Sequence, residues 1–279
     1  MNLTELQHKA NQLRSLHFGR ILVLPNAWDA GSARIIERAG AAAIATTSGG
    51  ISWMLGLQDG QHLTRDQMLE EIRRIVNVVT VPVTADIEGG YGVSNQDVAE
   101  TVKGLIRVGA VGLNLEDSGN GGDPLLSLDV QVQRLRAARV AASELEVDVV
   151  INARTDVYLA GWGETPAQRL EEVVRRANGY LAAGADCVFV PGVTDEVTIR
   201  ALVQRVQGPL NIMASAGCPS VSELEKLGVA RVSLGSALTQ AAYSVAQRIA
   251  QEALTSGELE VFAEFRNGET FGKINSLMG

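Results

Sequence analysis

The stretch T-A-D-I-E-G-G-Y-G, residues 84–92, ends a strand-like run in two acids one residue apart. Asp86 and Glu88 fall on one face of an extended chain, because strand side chains alternate. Two neighbouring carboxylates repel unless something positive lies between them, and a metal ion is the first candidate. The glycines that follow suggest that backbone comes close to the same place. Other apolar runs end in comparable groups: T-T-S-G-G (Thr46 to Gly50), a loop G-L-Q-D ending at Asp59, then Asn114, Glu116 and Asp117, then Asn152, Arg154 and Asp156. Asp86, Glu88 and Glu116 offer hard oxygens suited to Mg²⁺ or Mn²⁺, and no His/Cys set suits zinc. Mg²⁺ takes one or two direct carboxylates, so some of these acids would act through water. Arg154 brings a planar fork for a substrate carboxylate. The turn Thr47-Ser48-Gly49-Gly50 can present backbone N–H groups to another carboxylate oxygen. Together they describe a pocket for a small acid that chelates through a carboxylate and a neighbouring oxygen.

Each group has a plainer reading. A lone acid at a strand end is commonly a helix N-cap or a loop charge. S-G-G is a common turn, and Arg154 beside Asp156 makes a structural ion pair. What the plain readings do not explain is all four on successive strands.

The elements that must position these residues recur along the chain. Eight β-rich apolar runs begin at Ile21, Ala42, Val81, Val111, Val149, Cys187, Leu210 and Arg231. Amphipathic stretches such as S-A-R-I-I-E-R-A and Q-R-L-E-E-V-V-R-R-A lie between them. Four helices close on a glycine followed at once by a strand: R-A-G-A-A-A, R-V-G-A-V-G, A-A-G-A-D-C and K-L-G-V-A-R. Near-continuous apolar strands alternating with helices indicate a parallel sheet covered on both faces. Eight units favour a closed (β/α)8 barrel over a doubly wound sheet, whose G-x-G-x-x-G turn is missing after the first strand. In such a barrel the site forms at the C-terminal ends of the strands, where the acids lie. An additional helix is expected at the N-terminus and another in the tail from Gly257. No linker divides the chain, so residues 1–279 are expected to form one domain.

Composition narrows the partners. The 279 residues are 46% hydrophobic and 20% charged, ordinary for a globular protein with a sizeable core. A net charge of −8 without any Lys/Arg-rich run argues against nucleic acid or an anionic membrane as partner. Neither a signal-peptide core nor a membrane-length apolar run is present, so a cytoplasmic protein is expected. Cys187, in C-V-F-V, reads as a buried small hydrophobe; Cys218 carries no sign of activation.

Five segments carry a resemblance to a known family: T-S-G-G, G-L-Q-D, D-I-E-G-G-Y-G, N-L-E-D and A-R-T-D-V-Y-L-A-G-W-G. In this order and spacing the chain resembles the isocitrate lyase / phosphoenolpyruvate mutase superfamily over nearly its whole length. The resemblance implies a barrel whose last helix is exchanged between subunits of a homodimer or homotetramer. It also implies Mg²⁺ and a 2-oxo acid or its enolate. By this match Asp86 is the main metal ligand and also meets the substrate, with Glu88 and Glu116 acting largely through water. Thr47, Ser48 and Gly49 would hold the substrate carboxylate and Arg154 would contact the substrate. Asp59 would begin a mobile segment near the metal, and Asn120 would enter as a lid closes. Asp59 or Tyr91 would move protons.

Two departures bear on the reaction. Lyases of isocitrate or methylisocitrate resemble one another in a K-[KR]-C-G-H loop, whose cysteine is a general acid. Here the matching stretch is E-D-S-G-N-G-G-D-P-L-L, in which Gly119, Gly121 and Gly122 suit a flexible lid or an ordinary surface turn. Where mutase-like members carry a histidine, this chain has Val190, Pro191 and Gly192. The expectation is therefore a Mg²⁺-dependent lyase that cleaves or decarboxylates a small 2-oxo or 2-hydroxy carboxylate through a metal-stabilised enolate. The alternatives are a C–P bond mutase or hydrolase, a 2-oxo-acid-binding protein without turnover, and a phosphate-binding barrel using L-G-S-A at Gly235 to Ala237.

Overall fold

A computed structural model describes residues 1–119, 123–257 and 268–279. The apolar runs become strands β1 (Leu22–Leu24), β2 (Asn26–Ala27), β3 (Ile44–Thr46), β4 (Val83–Asp86) and β5 (Gly112–Glu116). β6 (Val150–Arg154), β7 (Cys187–Val190), β8 (Leu210–Met213) and β9 (Arg231–Ser233) follow. All pair in parallel, in the order β1-β9-β8-β7-β6-β5-β4-β3-β2. β1 and β2 are two halves of the one strand expected from Ile21. Pro25 parts them because it has no N–H to donate, and the chain changes partner there. Leu22–Leu24 pair with β9, and Asn26–Ala27 pair with β3. One interrupted strand thus joins both edges of the sheet, and the eight expected runs close into a (β/α)8 barrel.

Helices α1 (Leu3–Ser15), α2 (Ala30–Arg38), α3 (Ser48–Met54), α4 (Arg65–Val76), α5 (Asn95–Val108) and α6 (Leu128–Glu144) follow their strands or precede the first. α7 (Pro166–Ala182), α8 (Glu196–Arg205), α9 (Val221–Leu227), α10 (Ala237–Thr255) and α11 (Gly268–Met278) complete the described set. The four glycines expected to end helices, Gly40, Gly109, Gly184 and Gly228, all adopt the left-handed conformation. None of the described helices is long and apolar enough to cross a membrane.

Inside the barrel, alternate residues of neighbouring strands face one another, and many are polar. Asn152 Nδ2 donates to Asn114 Oδ1 at 2.7 Å, and Asn211 Nδ2 to Ser233 Oγ at 3.0 Å. Thr84 lies two residues deeper than Asp86, and Arg231 two deeper than Ser233. α1 closes the lower end: Leu13 packs against Gly112, and Arg14 and Arg139 both pair with Asp186. Cys187 is fully buried and burial pushes its thiol up to about 12, as a small core residue requires. Beyond β9 the pattern changes. α10 buries only Thr239 and leaves a groove of about 910 Å³ along β1, bounded by Leu16, Val23, Ile35, Val221 and Leu238.

Candidate active site

Asp86 ends β4 at the C-terminal mouth, with its carboxylate nearly buried. Its Oδ2 accepts from the Ser48 hydroxyl at 2.9 Å and the Ser48 N–H at 3.3 Å, and its own N–H donates to Thr46 Oγ1 at 2.9 Å. The expected S-G-G turn is in fact the first turn of α3, with Thr47 as N-cap accepting from the Gly50 N–H. The hydroxyls of Thr47 and Ser236 lie 2.7 Å apart, which ties α3 to the N-cap of α10. L-G-S-A thereby serves as a helix start joined to the pocket wall. Gly49 is closely covered: a Cβ there would lie 2.9 Å from Asp59 Oδ2 and 3.1 Å from Ser236 Oγ. Asp59 thus lies over α3, beside Asp86, and burial and the Asp86 charge raise its carboxyl above the ordinary value.

Glu88 points somewhere the sequence did not foretell. Its Oε1 accepts from the N–H groups of Gly60 at 3.2 Å and Gln61 at 2.8 Å, and its Oε2 accepts from the Tyr91 hydroxyl at 2.7 Å. Gln61 Oε1 in turn accepts from the Tyr91 N–H at 3.1 Å. Glu88 therefore clips the loop that carries Asp59 to the loop after β4. Burial raises the Glu88 carboxyl, and the Tyr91 bond only partly offsets this. Tyr91 keeps its proton and donates a hydrogen bond to Glu88, since burial with the Glu88 charge pushes its own pKa far up. The glycines after Glu88 meet protein rather than an open ligand space: a Cβ at Gly89 would touch Gln61 Nε2 at 3.0 Å, and one at Gly92 would collide with Asp97 at 2.3 Å.

Glu116 and Arg154 end the adjacent strands β5 and β6 and pair at 2.9 Å. Asp156 grips the other edge of the guanidinium, Nε at 2.6 Å and Nη2 at 2.9 Å, and Arg154 lies 6.0 Å above the Phe189 ring. Burial works against the Arg154 charge, but Glu116 and Asp156 outweigh it and raise the pKa. Glu116 goes the other way: burial dominates and pushes its carboxyl up to about 8 despite Arg154. Arg154 is thus a structural ion pair, as the plainer sequence reading had it, placed at the strand mouth with Nη1 on Glu116 and Nε on Asp156.

Behind this pair lies a network the sequence reading did not assign to the site. Asp117, fully buried, accepts from Tyr180 OH at 2.6 Å, Thr155 Oγ1 at 2.8 Å, the Asp156 N–H at 2.8 Å and Arg176 Nη1 at 2.9 Å. Ser118 Oγ donates to Asp156 at 2.7 Å. The loop base is closed by an antiparallel bridge from Ser118 to Leu125, while Asn120, Gly121 and Gly122 lie outside the described residues. A signal for the network was the pairing of N-L-E-D with A-R-T-D, which puts Asp117 one residue past β5 and Asp156 two past β6.

Among the described residues no three His, Cys, Asp or Glu side chains converge closely enough to hold a metal ion by themselves. The donor set nevertheless fits a hard divalent cation: every candidate ligand is oxygen, and Asp59, Glu88 and Glu116 all carry raised pKa values through burial and mutual repulsion. Mg²⁺ typically takes one or two carboxylates directly and meets further acids through water, which an all-oxygen set of this kind allows.

The sequence profile of the phosphoenolpyruvate phosphomutase family matches residues 13–254. The chain belongs to this family, within the isocitrate lyase / phosphoenolpyruvate mutase superfamily. A solved structure from Burkholderia cenocepacia, described only by the general class lyase/mutase, is 36% identical, with 98% of this chain and 96% of that one covered and a TM-score of 0.90. The 2-methylisocitrate lyase of Escherichia coli is 35% identical over 190 residues, 65% of this chain and 61% of that enzyme, so the match spans about three-fifths of the relative. A phosphonopyruvate hydrolase solved with oxalate and Mg²⁺ is 25% identical, covering 96% of this chain and 95% of that one, with a TM-score of 0.82.

Proposed function

We propose that this protein is a Mg²⁺-dependent lyase for a small 2-oxo or 2-hydroxy carboxylate, breaking the bond beta to the carbonyl carbon. The observation that carries this reading is Asp86 at the centre of an all-oxygen acid cluster facing Arg154 at the strand mouth. When bound, the ion would supply the positive charge that stabilises an enolate as the bond breaks. The chain's own residues divide the remaining work. Asp86 would hold the ion directly, while Glu88 and Glu116 would hold its waters. Asp156 fixes the guanidinium plane of Arg154, so that exchange of Glu116 for a substrate carboxylate at Nη1 needs no reorientation. Ser48, bonded to Asp86, and Gly49 form the floor beneath a second carboxylate group. Asp59, with its raised pKa, is suited to hold the proton that the enolate takes up, a role the absent K-[KR]-C-G-H thiol fills elsewhere.

The test is product analysis after incubation with Mg²⁺ and a panel of 2-oxo and 2-hydroxy acids that includes oxaloacetate, methylisocitrate and phosphonopyruvate. Cleavage or decarboxylation of a carbon acid, lost on chelation and in Asp86→Asn, supports the lyase. Turnover of phosphonopyruvate alone replaces it with C–P chemistry, and binding without any product replaces it with a binding protein.

A further inference from the structure

Arg231 opens β9, and its side chain is completely buried. Nε, Nη1 and Nη2 all lack a hydrogen-bond partner. A guanidinium offers five donors, and burying one unanswered is strongly unfavourable. Burial draws its pKa down to about 10, which still leaves a cation at neutral pH. Among the described buried arginines it is the one whose three guanidinium nitrogens all lack a partner.

Acceptors without donors lie in the same interior. Thr84 Oγ1, two residues below Asp86, has no partner, and neither has Asn152 Oδ1, two below Arg154. His17 belongs to the same end. Its Nδ1 lies 2.9 Å from the Leu13 carbonyl, which can only accept, so Nδ1 bears the proton and the unpartnered Nε2 is an acceptor. Burial first, and the Arg231 charge second, hold that imidazole neutral down to about 4. Buried donors and acceptors that the protein itself leaves unmatched are the groups that ordered water serves. Above it stands the acid cluster, whose own cation, Arg154, is already shared between Glu116 and Asp156. The Asp86 charge is among those that reach Arg231. A free anion in this space would lie beneath several carboxylates, which the electrostatics oppose.

We propose that Arg231 is the built-in counter-charge of the acid cluster, coupled to Asp86 through buried water held by Thr84 Oγ1 and Asn152 Oδ1. The barrel thereby tolerates its carboxylates when no divalent ion is bound, and holds that ion less tightly than the acids alone would. This rests on the metal-site reading above.

The test titrates MgCl₂ into wild type, Arg231→Met and Arg231→Lys by calorimetry, and measures Tm in EDTA for wild type, Arg231→Met, Asp86→Asn and the double variant. Arg231→Met should bind Mg²⁺ about tenfold more tightly, while Arg231→Lys stays within about twofold of wild type. In EDTA, Arg231→Met should melt lower than wild type, and adding Asp86→Asn should recover most of that loss. Equal Mg²⁺ affinity in wild type and Arg231→Met overturns the proposal, as does a lysine variant that shifts as far as the methionine one. If Arg231→Met does not fold in EDTA, folding of the double variant supports the counter-charge and failure of both overturns it. Wild-type protein that takes up no Mg²⁺ removes the metal reading. The EDTA cycle separates that case: coupling between the two positions keeps the counter-charge, and additivity removes it.

Discussion

Glu116 meets Arg154 at 2.9 Å, yet burial and the charges of Asp156 and Asp86 leave its carboxyl at about 8 against an ordinary 4.5. Between those values the folded protein holds a proton that the unfolded chain has released. Metal-free stability should therefore fall as pH rises from about 4.5 to 8 and level off above that window. Urea denaturation in EDTA at several pH values measures this, and Glu116→Gln should flatten the fall; an unchanged slope would assign the pH dependence to other groups. Residue by residue, Asp86, Asp59, Glu116 and Arg154 were legible because each ends a strand or loop that a barrel must deliver to its mouth. Glu88 was legible as an acid but not in its contacts, since its partners Gly60 and Gln61 sit on a loop 28 and 27 residues earlier. Arg231 stood in plain view at the start of an apolar run, two residues before Ser233 on the same face of β9. Its isolation from every acceptor is a fact of three dimensions.

At the scale of elements, the loops after α3 and β4 are held in a strained embrace. Three of the four described non-glycine residues with positive φ, Gln61, Glu88 and Tyr91, meet in this one contact. Such conformations cost on the order of 1–3 kcal/mol each and persist only where neighbours enforce them. Here Arg134 of α6 donates to the Gly92 and Val93 carbonyls, and Thr101 of α5 to the Gly90 carbonyl at 2.7 Å. Hydrogen exchange reads this directly. The Gly60 and Gln61 amides should exchange slowly for groups in an exposed loop, and Glu88→Ala should speed them by about tenfold or more with little change in the barrel strands. Unchanged exchange would show that Glu88 does not hold the loop. The glycine-capped helix ends were readable from local chemistry alone. The break at Pro25 was not, because an apolar run does not reveal that its two halves pair with different strands.

For the whole molecule, closure of the barrel leaves one side unfinished. Among its described residues α10 buries only Thr239, and the apolar groove along β1 remains. The helix exchange implied by the sequence resemblance supplies an occupant, the last helix of a second copy, and we take that as the proposed assembly. Sedimentation should then show a species larger than the 29.6 kDa chain. Ile35 lines the groove and is 44% exposed in the single chain, so Ile35→Glu should leave the barrel folded while dissociating the assembly. A wild-type protein that sediments as the single chain would contradict the exchange. The barrel was legible because its periodicity repeats in every unit. The proposed assembly comes from the resemblance alone, because an apolar helix pattern reads the same whether the helix returns to its own barrel or crosses to another.

The central claim, a divalent metal centred on Asp86 that completes a 2-oxo-acid pocket, is tested most directly by calorimetric titration of oxalate, a planar dicarboxylate of enolate shape. The titration is run with Mg²⁺, with EDTA, and on Asp86→Asn with Mg²⁺. The account predicts binding only to wild type with Mg²⁺ present. Equal binding in EDTA, or undiminished binding to Asp86→Asn, would contradict it.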